Sequence, residues 1–436
     1  MLIYSEKSGK LIGQGNIQLM ERKTTCTHPL LQWVLIHSLI VIVNTIRMHL
    51  LQFISATRSS AKRGRQRNKK ILKSFEVNHE NLLECIDKKI AESNKGVISF
   101  VLKELAKNIF NGQGIIAISL PVRIFQPKSL LERIIDACSF VPNYFSKACK
   151  TKDKILRIKY IISFIVSGMY MSADMRKPFN PILGETFQGY FKDGTRIYCE
   201  HISHHPPIAS YLIEGPTEYA FRMYGSVEFK GSLKGAGNIL YINFDGANYI
   251  EFPDGHKYVV HYPLTKLSGL MWGARTVNIE GISTIDDLSN GNKAIVVFDP
   301  KVPRFDSTIK PTNFEGIIYK SNGNQQKKKI ESLSDISNVD EEICEVYGDT
   351  LNELIIDGET FWIMDREVPY RLYPMPDCLP SDSRYREDLL WLHHEDQKYA
   401  QEWKSRLEIQ QRQDKKQRMD YEKLRSKGKK KFINID

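Results

Sequence analysis

Between Thr186 and Asp299 the chain is punctuated by six turn signals, and they limit the fold more than any other feature: Lys192-Asp193-Gly194-Thr195, Glu214-Gly215-Pro216, Lys234-Gly235-Ala236-Gly237, Asp245-Gly246, Pro253-Asp254-Gly255 and Ser289-Asn290-Gly291-Asn292. Strand-like runs such as Ile239 to Phe244, Lys257 to Tyr262 and Lys293 to Phe298 lie between them. Short strands joined by Gly, Pro, Asn and Asp turns make an antiparallel meander, hence a large sheet or barrel. Asn313 to Tyr319 and Leu354 to Ile363 extend it, and the polar stretch Ser321 to Glu342 reads as a loop. Helical patterns flank the meander: Ile71 to Ile90, Ser129 to Ala148 and Thr151 to Met169 before it, Arg386 to Arg425 after it as one long helix or a pair. Val97, Ile98, Val101, Leu102, Leu105, Ile109 and Phe110 recur at three- and four-residue steps and share one helical face. Such a face packs on a core or serves as a lid or membrane-facing helix. The fold class is α+β, mainly β.

Length and charge narrow the function. At 436 residues the chain has ample material for a core. Its net charge of +11 is concentrated at two places: eight basic and no acidic residues from Arg58 to Lys73, and twelve basic against five acidic from Glu402 to Lys431. Such segments favour an anionic surface, phospholipid or nucleic acid. No aromatic-basic motif supports nucleic acid. The seven cysteines are scattered with no Cys-x-x-Cys pair, which suits a reducing, intracellular compartment rather than a disulfide framework or zinc ribbon. Leu30 to Ile46 is a mostly apolar run interrupted by Gln32, His37, Ser38 and Asn44. It is short for the ~20 residues of a membrane-spanning helix, so an N-terminal anchor competes there with a buried or interfacial helix.

Two clusters could carry chemistry. Glu200-His201-Ile202-Ser203-His204-His205-Pro206-Pro207 follows a predicted strand. On a regular strand His204 and His205 point to opposite faces, and the prolines oppose a helix, so they serve one site only where the backbone departs from regularity. Imidazole binds metal when neutral and donates to anions when protonated. A metal-dependent hydrolase using His201, His204 and His205 is therefore the rival reading, although no HExxH pattern or cysteine partner accompanies them. The second cluster runs from Arg176 to Thr186, where Pro178 and Pro181 force an extended segment and Gly184 turns it into a strand. Lys177 and Asn180 then sit on a rigid loop suited to phosphate or hydroxyl recognition. Farther on, Lys404, Glu408 and Arg412 are four apart, hence on one helical side.

In this order the clusters resemble the oxysterol-binding protein family. Lys177-Pro-Phe-Asn-Pro-Ile-Leu-Gly-Glu185 is similar to its KPxNPxxGE segment, and Ser203-His-His-Pro-Pro207 to the core of its EQVSHHPP hallmark, with His201 where the family usually has glutamine. Leu120 to Arg133, Leu379-Pro-Ser-Asp-Ser-Arg384, and Lys404, Glu408 and Arg412 resemble further family segments, so the likeness covers about 94 to 425. The expected division is an extension at 1–75, a lipid-binding domain at 76–425 and a basic tail at 426–436.

The resemblance implies a large incomplete antiparallel β-barrel around a lipid tunnel, with an N-terminal helical lid, a helical segment before the barrel and C-terminal helices. It implies a non-enzymatic lipid-binding and transfer protein with no cofactor and no metal. Its ligands would be phosphatidylinositol 4-phosphate and a second lipid, sterol or phosphatidylserine, taken one at a time. The expected setting is cytoplasmic and peripheral, on anionic membrane surfaces, with no nucleic acid. A lipid sensor without net transport is the related alternative. Residue by residue, the implied headgroup site is Lys177, Asn180, His204, His205, Lys404, Glu408 and Arg412. The implied lid is Val97, Val101, Leu102, Leu105, Ile109 and Phe110.

Overall fold

Each of the six turn signals falls where one strand ends and the next begins in the computed structural model of the chain. The structure describes residues 2–4, 11–14, 74–80, 82–97, 99–101, 103, 119–305, 310–321, 332–336 and 339–432. Strands Thr186–Tyr190, Arg196–His204, Pro207–Glu214 and Arg222–Lys234 run as a continuous antiparallel meander. Two strands are long enough to take two partners on one side. Arg222–Lys234 pairs with Asn248–Glu251 along its first part and Ile239–Asp245 along its second. Thr276–Asp287 pairs with Leu264–Ser268 and then with Lys257–His261. Those shorter strands also pair with one another, so they fill the sheet between the two long ones. The barrel is incomplete, as the resemblance implies: among the described residues its margins, Thr186–Tyr190 with Tyr373–Pro374 on one side and Glu359–Ile363 on the other, do not pair with each other. The sheet continues through Asn292–Phe298, Asn313–Ser321, Val339–Asp349, Glu353–Ile356 and Glu359–Ile363.

Some local expectations change. Leu354 to Ile363 is a hairpin, because Asp357 and Gly358 both take positive φ (55° and 73°), as a tight two-residue turn requires. The expected loop ending at Glu342 already contains the start of the strand Val339–Asp349. Ile71 to Ile90 is not one helix. Phe75–Val77 and Leu83–Cys85 form a hairpin whose turn is tied by Asn78 Oδ1, which accepts from the amides of Glu80 and Leu82 at 2.9 and 3.0 Å. Pairing of Glu84 with Thr276 gives this segment a sheet edge, and tertiary pairing overrides helical periodicity. Helix α1, Lys88–Asn94, starts only after the Asp87 cap.

The expected helical segment before the barrel is α2 (Leu130–Asp136), α3 (Val141–Lys150) and α4 (Lys154–Met169), with Ser129 capping α2 and Asp153 capping α4. Ile158, Ile161, Ile162, Phe164, Ile165 and Val166 are buried all round α4, as befits a helix enclosed within a core. Phe145 of α3 meets Phe164, Phe221 and Phe252 edge-on and knits helices to barrel. At the other end the helix pair is α5 (Glu387–His393) and α6 (Gln397–Phe432).

The chain divides into two compact units, 1–60 and 61–436. In the first, Leu2–Tyr4 pairs antiparallel with Leu11–Gln14. The apolar run Leu30 to Ile46 and the basic stretch Arg58 to Lys73 lie outside the described residues. Among the described residues no helix is long and apolar enough to cross a membrane.

Candidate functional site

The loop after α4 is positioned by its own prolines and one carboxylate. Lys177–Phe179 pairs in parallel with Phe125–Ser129, and Gly184 takes φ +81°, a conformation open to glycine, to bring the chain onto the barrel. The buried Glu185 carboxylate accepts from Ser129 Oγ at 2.5 Å, from the Ile182 amide at 3.0 Å and from Arg386 Nη1 at 2.7 Å. Arg386 in turn grips Asp388 through two nitrogens at 3.0 and 2.7 Å and donates to the Asn180 carbonyl at 2.8 Å. This network clamps the loop to α5 and, through it, to α6.

A small cavity of about 60 Å³ lies where these elements meet, lined by Phe125, Lys177, Asn180, Arg386, Lys404 and Glu408 among others. Lys177 Nζ donates to Asn180 Oδ1 at 2.5 Å and to the Pro178 carbonyl at 3.1 Å. Lys404 is buried, with Nζ 2.6 Å from Glu408 Oε1 and 2.8 Å from Ser119 Oγ. Both ammonium groups also sit over the Phe125 ring, at 5.0 and 5.4 Å from its centroid. Lys404 touches a carboxylate; among the described residues Lys177 touches only dipoles and the Phe125 ring, with Glu408 attracting it from farther off. Burial, with repulsion from Lys404 and Arg386, pulls the Lys177 pKa down to about 7. The cavity is thus short of negative charge and set to accept an anion.

The histidines lie along α6 from that cavity. The ladder slips by one residue between His201, opposite Ala209, and Ser203, opposite Ile208. This bulge at Ile202 undoes strict alternation, so His201 and His204, which a regular strand would send to opposite faces, meet with ring centroids 5.6 Å apart. His204 and His205 rings are 4.6 Å apart at the turn. His204 Nδ1 lies 3.3 Å from His201 Nε2 and 3.1 Å from Gln411 Nε2. Burial first, then repulsion from His205, Lys415 and Arg418, lowers the His204 pKa to about 4. Burial and Lys415 lower that of His205. Buried beneath them, His201 is lowered to about 4 by burial and His204, against an opposing Ile208 carbonyl. Neutral imidazoles offer one N–H each to a ligand. Among the described residues no group of three His, Cys, Asp or Glu side chains is arranged to hold a metal ion.

Of the residues expected from sequence, the structure brings Lys177, Asn180, Lys404 and Glu408 together and sets His204 and His205 farther along the same helix. Arg412 it does not bring in: the side chain is exposed and lines no part of the cavity. Each four-residue step advances about 40° round a helix, so the third position of the triple has drifted about 80° from the first. The helix face toward the histidines instead alternates steps of three and four, through Lys404, Glu408, Gln411, Lys415 and Arg418. Sequence reasoning overlooked Gln411, Arg386, Asp388 and Phe125, though a 4-3-4-3 spacing beginning at Lys404 would have found Gln411 and Lys415. Of the expected lid, Val97 is buried and Val101 half-buried against Val122, Ile124, Phe125 and Phe179. Leu102, Leu105, Ile109 and Phe110 lie outside the described residues.

The family described as Oxysterol-binding protein matches residues 101–334. Oxysterol-binding protein 9 of Dictyostelium discoideum is 32% identical over 336 residues, which cover 75% of this chain and 77% of that protein. Oxysterol-binding protein-related protein 8 of Mus musculus is 29% identical over 238 residues, 52% of this chain but only 26% of that longer relative. Among solved structures, the Osh3 ORD of Saccharomyces cerevisiae in complex with PI(4)P is similar at TM-score 0.57 and 24% identity, covering 73% of this chain and 84% of that one. The Osh1 ORD domain in complex with cholesterol gives TM-score 0.57 at 19% identity, covering 84% and 89%. At those identities the likeness shows the fold: a mainly β architecture with helices.

Proposed function

The chain belongs to the oxysterol-binding protein family, and on that premise we propose that it is a non-enzymatic carrier that extracts phosphatidylinositol 4-phosphate and a second lipid, sterol or phosphatidylserine, and exchanges them between membranes. The observation that carries this reading is the charge-deficient cavity in which Lys177 and Lys404 flank Phe125 with one carboxylate between them. A phosphomonoester brings close to two negative charges and several acceptor oxygens, which such a cavity needs. Solved relatives bound to PI(4)P, ergosterol and cholesterol support the ligand classes. The histidine turn, with Gln411 and Lys415, completes the headgroup site in this proposal, and the helical backbone around Val97 and Val101 is the base of a lid over the barrel mouth.

The test is extraction of phosphatidylinositol 4-phosphate from uncharged liposomes across pH. An anion beside Lys177 raises its pKa from about 7, so binding takes up a proton at higher pH. Affinity is expected to fall by up to about tenfold per unit as pH rises above 7, because free Lys177 is then neutral. Below pH ~6 the phosphate loses its second charge and affinity falls again. A bell with its top between about pH 6 and 7 is the expected profile. A flat profile over that range would remove Lys177 from the headgroup site. In the free protein the sign follows the same shift: unfolded Lys177 holds its proton up to about 10.5, so stability rises with pH between about 7 and 10.5.

Helix register gives a second prediction. Lys415→Ala is expected to weaken phosphoinositide extraction more than Arg412→Ala at every salt concentration, since Lys415 lies close enough to His204 and His205 to lower both pKa values. Arg412→Ala acts only through the surface field, and its effect fades at high salt. The reverse ranking would place the four-residue triple, Arg412 included, on the ligand side.

A further inference from the structure

We infer that the barrel's protruding tip, Leu233 with Met271 and Trp272, is an interfacial anchor that docks the chain on an anionic lipid surface. Strand register places the tip. Ile208 stands opposite Glu228, so the strand Arg222–Lys234 runs on past the histidine turn at 204–207. At ~3.3 Å per residue, Leu233 stands roughly 10 Å beyond the tip of that turn, at the same end of the barrel as the proposed headgroup site.

The tip is built rather than loose. Asn238, just after the Gly235–Gly237 turn, accepts the amides of Met271 and Trp272 on its Oδ1 at 2.8 and 3.1 Å, and that of Leu270 on its carbonyl at 3.2 Å. Arg275 Nη2 donates to the Leu270 and Asn94 carbonyls at 3.4 and 3.5 Å, and the Cys85 amide donates to the Arg275 carbonyl at 2.8 Å. The backbone is held from both sides while the apolar side chains stand out: Trp272 is 57% exposed, Leu233 53% and Met271 37%.

Charge selects the occupant. Residues 231–242 and 264–276 contain Lys234, Lys266 and Arg275 and no acidic residue; Lys266 is paired with Glu280 at 3.0 Å, which leaves Lys234 and Arg275 as the unbalanced charge of the tip. An indole-bearing apolar tip flanked by these two cations complements the headgroup level of an anionic bilayer, where tryptophan is favoured and lysine stems lie along apolar surface with the ammonium in water. A bilayer touched by this tip lies on the side of the histidine turn. The inference rests on the reading that the ligand comes from a membrane; it does not depend on which lipid is carried.

The experiment uses the full chain and vesicles of phosphatidylcholine and phosphatidylserine without phosphoinositide, with brominated acyl chains to quench tryptophan. Trp272→Ala is expected to lower the bound-to-free ratio about tenfold and to remove most of the quenching, with Trp272→Phe in between. Asn238→Ala, which frees the loop, lowers the ratio less. Lys234→Gln matters at low salt only. Trp272 and Lys234 are exposed, so folding is preserved in their variants, and thermal melting checks it for Asn238→Ala. Unchanged flotation and quenching in Trp272→Ala overturns the anchor. So does a dimer in lipid-free sedimentation that the same substitution dissolves, since the tip would then meet a second copy. Short-chain phosphatidylinositol 4-phosphate in solution reads the headgroup site separately. If it fails to bind while docking still depends on Trp272, the headgroup reading falls and the anchor stands.

Discussion

With Lys177 and Lys404 both changed to alanine, extraction of phosphatidylinositol 4-phosphate is expected to fall by a factor of about 10² to 10⁴. Each ammonium supplies a charge-assisted contact worth about 1.5–3 kcal/mol, and every 1.4 kcal/mol is about tenfold. Removing Lys404 also strips Glu408 of its partner at 2.6 Å, leaving a carboxylate that repels the incoming phosphate. Sterol loading is expected to survive, because a sterol brings no charge to this cavity. The measurement is paired extraction of the two lipids from the same liposomes, with thermal melting as the check on folding. Unchanged phosphoinositide extraction, or equal loss of both lipids in a folded protein, would dissolve the separate headgroup site.

The legibility of this chain divides along physical lines. Turns are local, so the Gly, Asn and Asp signals fixed the strand junctions from Lys192 to Asn292 without any knowledge of pairing. Caps are local as well, and Ser129 and Asp153 start helices where the sequence puts them. What pairing decides was not legible. Phe75–Val77 and Leu83–Cys85 became strands because a sheet edge at Thr276 was available, and two long strands each took two shorter partners on one side. The site divides the same way. Lys177 and Asn180 sit on a loop stiffened by its own prolines and are found together. His201 and His204 share a face only through a one-residue slip at Ile202, which nothing in Glu200-His-Ile-Ser-His announces. The resemblance implies Arg412 through a triple spaced by four, whereas the histidine-facing side of α6 follows the shorter mean step that keeps Lys404, Gln411 and Lys415 aligned.

Glu185 carries the other large expected effect, and it is an effect on architecture. Its carboxylate joins the start of α2 through Ser129, its own loop through the Ile182 amide, and the start of α5 through Arg386. All three sites are enclosed, with Ser129, Glu185 and Asp388 almost without solvent contact. Glu185→Ala leaves Arg386 buried with Asp388 as its remaining carboxylate and empties the acceptor that Ser129 and Ile182 share. Breaking a buried pair from one side costs about 3–5 kcal/mol, and the surviving Asp388 contact sets the expectation at about 3 kcal/mol in urea unfolding. Glu185→Gln keeps the shape and one acceptor oxygen, so it is expected to recover part of that loss. Because the same carboxylate holds Asn180 and Lys177 against α6, both variants are also expected to weaken phosphoinositide extraction, with Glu185→Ala the weaker binder, in step with their stability. A Glu185→Ala protein that unfolds like the unmodified chain yet no longer extracts the phosphoinositide would contradict this. Glu185 would then touch the ligand itself, and the clamp between the proline loop and the helix pair would have to be sought in Arg386 and Asp388 alone.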